Sequence, residues 1–171
     1  ESTSFGIDFS YGKSITNNWY LYSYISAFHE DETFIALQSD SFSFKNNFNG
    51  VYVDLTNYLT ITKDGTFKGE LGLVYMSGWL QGNFIKDEST NLTVGLRKSF
   101  LDNRAVLSVS ANDLLGKYNS FQKSKYYNQD NRYLYSPETQ YVKFGFTYNF
   151  GNFRLEDNQR DIDKIERERL E

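Results

Sequence analysis

The sequence predicts an all-β fold, a transmembrane antiparallel β-barrel wall, and three observations predict it. Seven stretches alternate apolar and polar residues; Phe and Tyr abound in an otherwise hydrophilic chain; and short turns alternate with long polar connections. The clearest stretch is Tyr141–Phe150, where Val142, Phe144, Phe146, Tyr148 and Phe150 alternate with Lys143, Gly145, Thr147 and Asn149. Strict alternation is a strand signal, because successive side chains point to opposite faces. A run of this length suits a barrel strand that shows lipid one face and a wet lumen the other.

Composition points the same way. Aromatics make up 18% of 171 residues, with fifteen Phe and fourteen Tyr, yet the mean hydropathy is −0.60. A buried core draws mainly on Leu, Ile and Val, whereas barrel strands are half polar and carry aromatic girdles at both interfaces. No run of about 18 apolar residues exists, so no transmembrane helix is expected. The absence of cysteine removes disulfides and thiolate metal sites. A net charge of −4 without a basic stripe argues against nucleic acid.

Taken in order, the first strand (about 3–13) alternates Phe5, Ile7, Phe9 and Tyr11 with Gly6, Asp8, Ser10 and Gly12. Thr16-Asn17-Asn18 is a short turn, since Asn tolerates the left-handed backbone that tight turns use. The second strand (about 19–28) carries Tyr20, Tyr22 and Tyr24 on alternate positions, which leaves its facing open. His29–Asn47 reads as a long acidic loop. The third strand (about 48–61) shows Val51, Val53, Leu55, Leu59 and Ile61, interrupted on that face by Asn57. The Asp64-Gly65 pair is a hairpin signal and leads into the fourth strand (about 67–80). A loop near Gln81–Ser89, the fifth strand (about 90–100), the tight connection Leu101–Arg104 and the sixth strand (about 105–113) follow. Leu114–Thr139 is the longest loop, and the seventh strand covers about 140–150.

Short connections in outer-membrane barrels are periplasmic and long ones extracellular, which directs the seventh strand and the C-terminus toward the periplasm. Residues 1–151 thus read as a barrel segment, and 152–171 as a charged periplasmic tail. Seven is an odd number, whereas bacterial single-chain barrels use even numbers. With no signal peptide at Glu1, the stretch reads as the C-terminal part of a larger barrel.

Lys143, Gly145, Tyr148 and Phe150 resemble the terminal β-signal of outer-membrane barrels, which implies the barrel assembly machinery as a partner. The block Asn112-Asp113, a long loop, and then Tyr148-Asn149-Phe150-Gly151 resembles the end of TonB-dependent receptors and related large outer-membrane barrels. That resemblance implies a 22-stranded barrel of which this would be the last seven strands. It also implies a plug domain, an energy-coupling protein or a surface lipoprotein as partners, and nutrient uptake or a role in an outer-membrane complex. The alternatives are a non-transporting structural or assembly barrel, a small porin-like barrel, and a soluble β-sandwich.

No nucleophile, base and orienting group occur together, so no enzyme, catalytic residue or cofactor is expected. His29 beside Glu30, Asp31 and Glu32 could collect a cation, but a solvated acidic loop is the preferred reading and no metal site is assigned. Asp8, Lys68, Glu70 and Arg97 fall on the lumen-facing parity, where charges pair or line a filled space. A cross-strand pair between Glu70 and Arg97 is expected. Trp19, Trp79 and the tyrosines read as interface belts. Tyr118, Tyr126, Tyr127 and Tyr133 could stack on carbohydrate, although loop self-packing is favoured.

Overall fold

The structure is a computed structural model and describes residues 1–35, 43–126 and 129–150; the charged tail read at 152–171 lies outside them. Eleven strands follow one another: β1 (Ser2–Thr16), β2 (Trp19–Ile35), β3 (Ser43–Thr60), β4 (Phe67–Met76), β5 (Trp79–Gln81), β6 (Phe84–Lys86), β7 (Ser89–Phe100), β8 (Ala105–Asn112), β9 (Ser120–Tyr126), β10 (Gln129–Tyr135) and β11 (Tyr141–Tyr148). Seven form one sheet in the order β1-β2-β3-β4-β7-β8-β11, with every pairing antiparallel. The other four form a second sheet, β10-β9-β6-β5, built from the two connections that leave the main sheet. No helix occurs among the described residues. The main sheet is not closed, so β1 and β11 are its free edges.

Register carries the alternating pattern across the whole sheet. Ile7 lies opposite Ala27, Ala27 opposite Val51, Val53 opposite Tyr75, Leu73 opposite Leu92, Leu96 opposite Val109, and Val109 opposite Phe144. Directly opposed residues share a face, so seven strands present one continuous apolar face. That face is bare: Ile7 is 79% and Phe144 76% exposed. An exposed apolar area of this extent in a soluble chain would be an aggregation site; against lipid it is the wetted surface.

The amide of Asn57, which falls within the apolar band, is satisfied locally. Asn57 accepts a hydrogen bond from the Trp19 indole (3.0 Å) and donates to the Leu71 carbonyl (3.4 Å), which removes the cost of an unpaired polar group in hydrocarbon. Lys98 has the same parity but sits near the short-turn end, where its ammonium reaches Thr66 Oγ1 at 2.6 Å. Trp19, Phe67, Phe100 and Tyr148 all fall on the apolar face at the short-turn end, as a girdle requires. The belt reading fails for other aromatics. Trp79 belongs to the second sheet, and Tyr20, Tyr22 and Tyr24 pair with Tyr58, Thr56 and Asp54 on the polar face.

Two readings of the connections need correction. His29–Asn47 is not a loop at its ends: β2 (17 residues) and β3 (18 residues) continue pairing through Ile35 and Ser43. A spanning strand needs roughly 9–11 residues, so this hairpin projects beyond the apolar band. One face there is polar (His29, Asp31, Lys45, Asn47, Asn49) and the other mixes Glu30 and Glu32 with Phe34, Phe44 and Phe48, which blurs the alternation while the backbone ladder persists. The fourth strand ends at Met76 rather than running to 80. Gly78 has φ of 119°, and a Cβ there would meet the Lys86 carbonyl at 2.4 Å, so the chain swings sharply out of the wall into β5.

The short connections are tightly built. In the β3–β4 turn, hydrogen bonds from Thr62 and Thr66 hold the Asp64 carboxyl at about 2. In the β7–β8 turn, Leu101, Asp102 and Asn103 all take positive φ (52°, 54° and 67°), a left-handed run unusual without glycine.

Candidate functional site

The polar face of the main sheet gathers the charges singled out in the sequence. Asp8 lies opposite Ser26 and beside the Tyr24 hydroxyl. Lys68 lies opposite Arg97, and Glu70 opposite Gly95. Lys68, Glu70 and Arg97 line a hollow of about 470 Å³ with Tyr20, Tyr58, Ser108 and Ser110 at the short-turn end. The expected Glu70–Arg97 pair is not formed: among the described residues no ion pair within 4.0 Å includes either. The register places the guanidinium across from an ammonium instead, with Glu70 two residues along the strand. Two like charges directly opposed are unfavourable, and the polar face thus holds two cations beside one carboxylate, Glu70, with no ion pair formed among them.

At the long-loop end the wall and the two ends of its longest connection are joined by a side-chain knot around Asp113. This residue ends β8 with φ of 49° and is 1% exposed. Its carboxylate accepts from Thr139 Oγ1 (2.6 Å) and from the backbone N–H groups of Lys117 (3.0 Å) and Tyr118 (3.2 Å). Its own N–H donates to Asn91 Oδ1 (3.0 Å), and its carbonyl accepts from Gln140 Nε2 (3.1 Å). Asn112 donates to the Thr139 carbonyl (2.8 Å) and accepts from Asn91 (3.3 Å). Burial pushes the Asp113 carboxyl up, but the bonds from Thr139, Lys117, Tyr118 and Gly116 outweigh it and leave it below the usual carboxylate value. Asn112 and Asp113 therefore tie β7, β8, the start of the long connection and the entry to β11 together.

The second sheet leans on the polar side of the projecting β2–β3 hairpin. Leu80, 5% exposed, donates its N–H to the Glu30 carboxylate at 2.8 Å. Asn83 bonds the buried Ser124 (2.7 Å), and Lys123 pairs with Asp87 (2.8 Å). Between this sheet and the wall lies a second hollow, of about 590 Å³, whose rings come from Tyr52, Trp79, Tyr118 and Tyr135. Of the aromatic platform read from the sequence, only Tyr118 lines it. Tyr133 instead packs on Phe84 (ring centroids 6.2 Å apart), and Tyr127 and the Tyr126 side chain lie outside the described residues. Trp79, Tyr52 and Tyr135 were hidden because nothing local in the sequence brings three separate strands together.

The acidic cluster around His29 does not converge. His29 and Asp31 share the face opposite to Glu30 and Glu32, because all four lie on β2. His29 bonds Asn49 (2.8 Å) and Asp31 (3.1 Å), and both raise its pKa above the ordinary value. No group of three metal-ligating side chains occurs among the described residues.

Along β11, Lys143 and Gly145 face the polar side opposite Ser110 and Ser108, while Tyr148 faces the apolar side opposite Ala105. Phe150 follows the strand and meets Tyr148 edge to face at 4.6 Å. Among the described residues the far edge of β11 carries no partner strand. Lys143, Gly145, Tyr148 and Phe150 thus lie along a strand with a free hydrogen-bonding edge.

Comparison with known proteins gives a family and no individual relative. The model of the outer membrane protein β-barrel family matches residues 1–148. No curated protein and no solved structure matches the chain.

Proposed function

The chain belongs to the outer membrane protein β-barrel family, and from that premise we propose that it is the C-terminal wall of a TonB-dependent-receptor-like barrel that takes up a nutrient. The observation that carries this reading is the unclosed seven-strand sheet with one lipid-suited face and two bare edges. In lipid an open edge leaves a row of unpaired backbone groups, each costing several kcal/mol (~2–7). The edges of β1 and β11 therefore pair with further strands, and 22 is the number the receptor reading requires. Lys68 and Arg97, opposed on the polar face without an ion pair, suit a lumen occupied by an acidic surface of a plug domain. The short-turn end and the C-terminus lie in the periplasm, the second sheet stands outside the cell, and β11 is the edge offered to the barrel assembly machinery. An energy-coupling protein on the periplasmic side and a surface lipoprotein outside are the remaining partners.

The test is the mobility of the native protein from isolated outer membranes on gels, unheated against boiled. A heat-modifiable band far larger than the 20.0 kDa of this chain is expected. A heat-modifiable band at that mass would mean that the edges close on copies of the chain, and the receptor reading would be abandoned.

A further inference from the structure

We infer that the hollow between the wall and the second sheet is a binding site for a neutral oligosaccharide. Its surface offers mainly ring faces and amides. Tyr52 comes from the wall, Trp79 and Tyr135 from the second sheet, and Tyr118 from the segment held by Asp113. Trp79, Tyr118 and Tyr135 remain 40%, 44% and 63% exposed. The two charged groups at its border are already engaged: the Lys86 ammonium lies 4.2 Å over the Trp79 ring, and Asp87 pairs with Lys123 at 2.8 Å.

What remains free is uncharged. Asn119 and Gln122 line the hollow, and among the described residues neither side chain makes a hydrogen bond. Each amide presents a carbonyl acceptor and a two-proton donor side by side, which matches the paired hydroxyls of a pyranose. Flat rings bury the C–H faces of such a sugar while leaving its hydroxyls to the amides. A volume of about 590 Å³ accommodates a few sugar units rather than one. The site is composite, since wall, long connection and second sheet each supply a ring.

This inference rests on the reading that the second sheet stands at the external mouth, and the two are tested separately. The whole protein in detergent is titrated calorimetrically with maltohexaose, xylohexaose and N-acetylchitohexaose, with heparin as a polyanion. At least one neutral hexasaccharide is expected to bind. Its affinity should fall about tenfold or more, equivalent to about 1.4 kcal/mol, in Tyr135→Ala and in Gln122→Ala. Tyr135→Phe, which keeps the ring, should retain binding and guards against a folding defect. Binding by none of the neutral sugars, preference for heparin, or affinity unchanged in both Tyr135→Ala and Gln122→Ala would overturn the assignment. Placement is read from Leu134→Cys, compared with the same protein lacking that substitution. Labelling of intact cells by an impermeant maleimide supports the external mouth, and labelling only after lysis refutes it whatever the sugars do.

Discussion

Replacing Asp113 probes whether the Asn112-Asp113 pair joins the wall to the structure above it. The carboxylate receives three hydrogen bonds, from Thr139 Oγ1, Lys117 N and Tyr118 N, at 1% exposure. Leaving a buried donor without its partner costs about 1–3 kcal/mol. Asp113→Ala orphans all three, and water entering beside the exposed Tyr118 relieves part of this, so the net loss should be about 3 kcal/mol. Alanine at positive φ adds to that loss, at about 1–2 kcal/mol. Asp113→Asn keeps one acceptor oxygen and a residue that tolerates the left-handed backbone, and it should lose about 1 kcal/mol.

The sign of the pH dependence follows from the lowered pKa of Asp113. Its stabilisation is fully present above the unfolded value of about 3.9 and fades as pH falls through the folded value. The gap between wild type and Asp113→Asn should therefore be constant near neutrality and close in acid. Urea midpoints of the whole protein in detergent, taken across that range, measure it. Proteolysis within Leu114–Thr139 should rise in parallel, because Lys117 and Tyr118 lose their anchor. If Asp113→Ala shifted stability by less than about 0.5 kcal/mol, the level of an ordinary surface substitution, the knot would not be what holds these elements.

Three further outcomes follow from the geometry. Val94→Arg, on the apolar face opposite Leu71 and Ala111, should destabilise the folded protein in bilayers by about 2–4 kcal/mol; Thr93→Arg, one residue along on the polar face, should cost far less, and equal penalties in vesicle unfolding would deny the two-faced wall. With its proton resonance assigned by its loss in His29→Gln, the titration midpoint of His29 should lie above about 6.5, given bonds to Asn49 and Asp31. With that sign, the His29 contribution is fully present below the unfolded value and is lost as pH rises through the folded one, so a midpoint below 6.5 would contradict the contact. Asp102→Gly, at φ of 54°, should stabilise the β7–β8 turn by up to about 1 kcal/mol, read as a raised urea midpoint; a lowered midpoint would show that the left-handed run is not strained.

The wall was legible because its chemistry repeats every second residue. In β1, β7 and β11 one face must be apolar and the other wet, so the backbone direction of each side chain is written in the sequence. The same logic explains what was not legible. Beyond the apolar band one face of β2 and β3 is polar and the other mixes acidic residues with phenylalanines under the second sheet, so His29–Ile35 carries no clean alternation although the ladder continues. The β9–β10 hairpin carries no clean alternation, and β5 and β6 have only three residues each, too few for a period to register. Gly78 signals the exit from β4, but only its φ shows that the chain turns out of the sheet there.

Charge pairing failed for a related reason. Glu70 and Arg97 have the right parity, and parity alone cannot fix register, which here sets Arg97 against Lys68. A two-residue offset along the strand separates a directly opposed ion pair from a directly opposed pair of cations, and that difference changes what the lumen asks of its contents. A wall that paired its own charges would be indifferent to what fills it. One that leaves an ammonium and a guanidinium opposed in its concave face is stabilised by an acidic occupant, and the open edges of β1 and β11 ask in the same way for further strands. The bare apolar face asks for lipid. All three demands are set by the register of the seven strands.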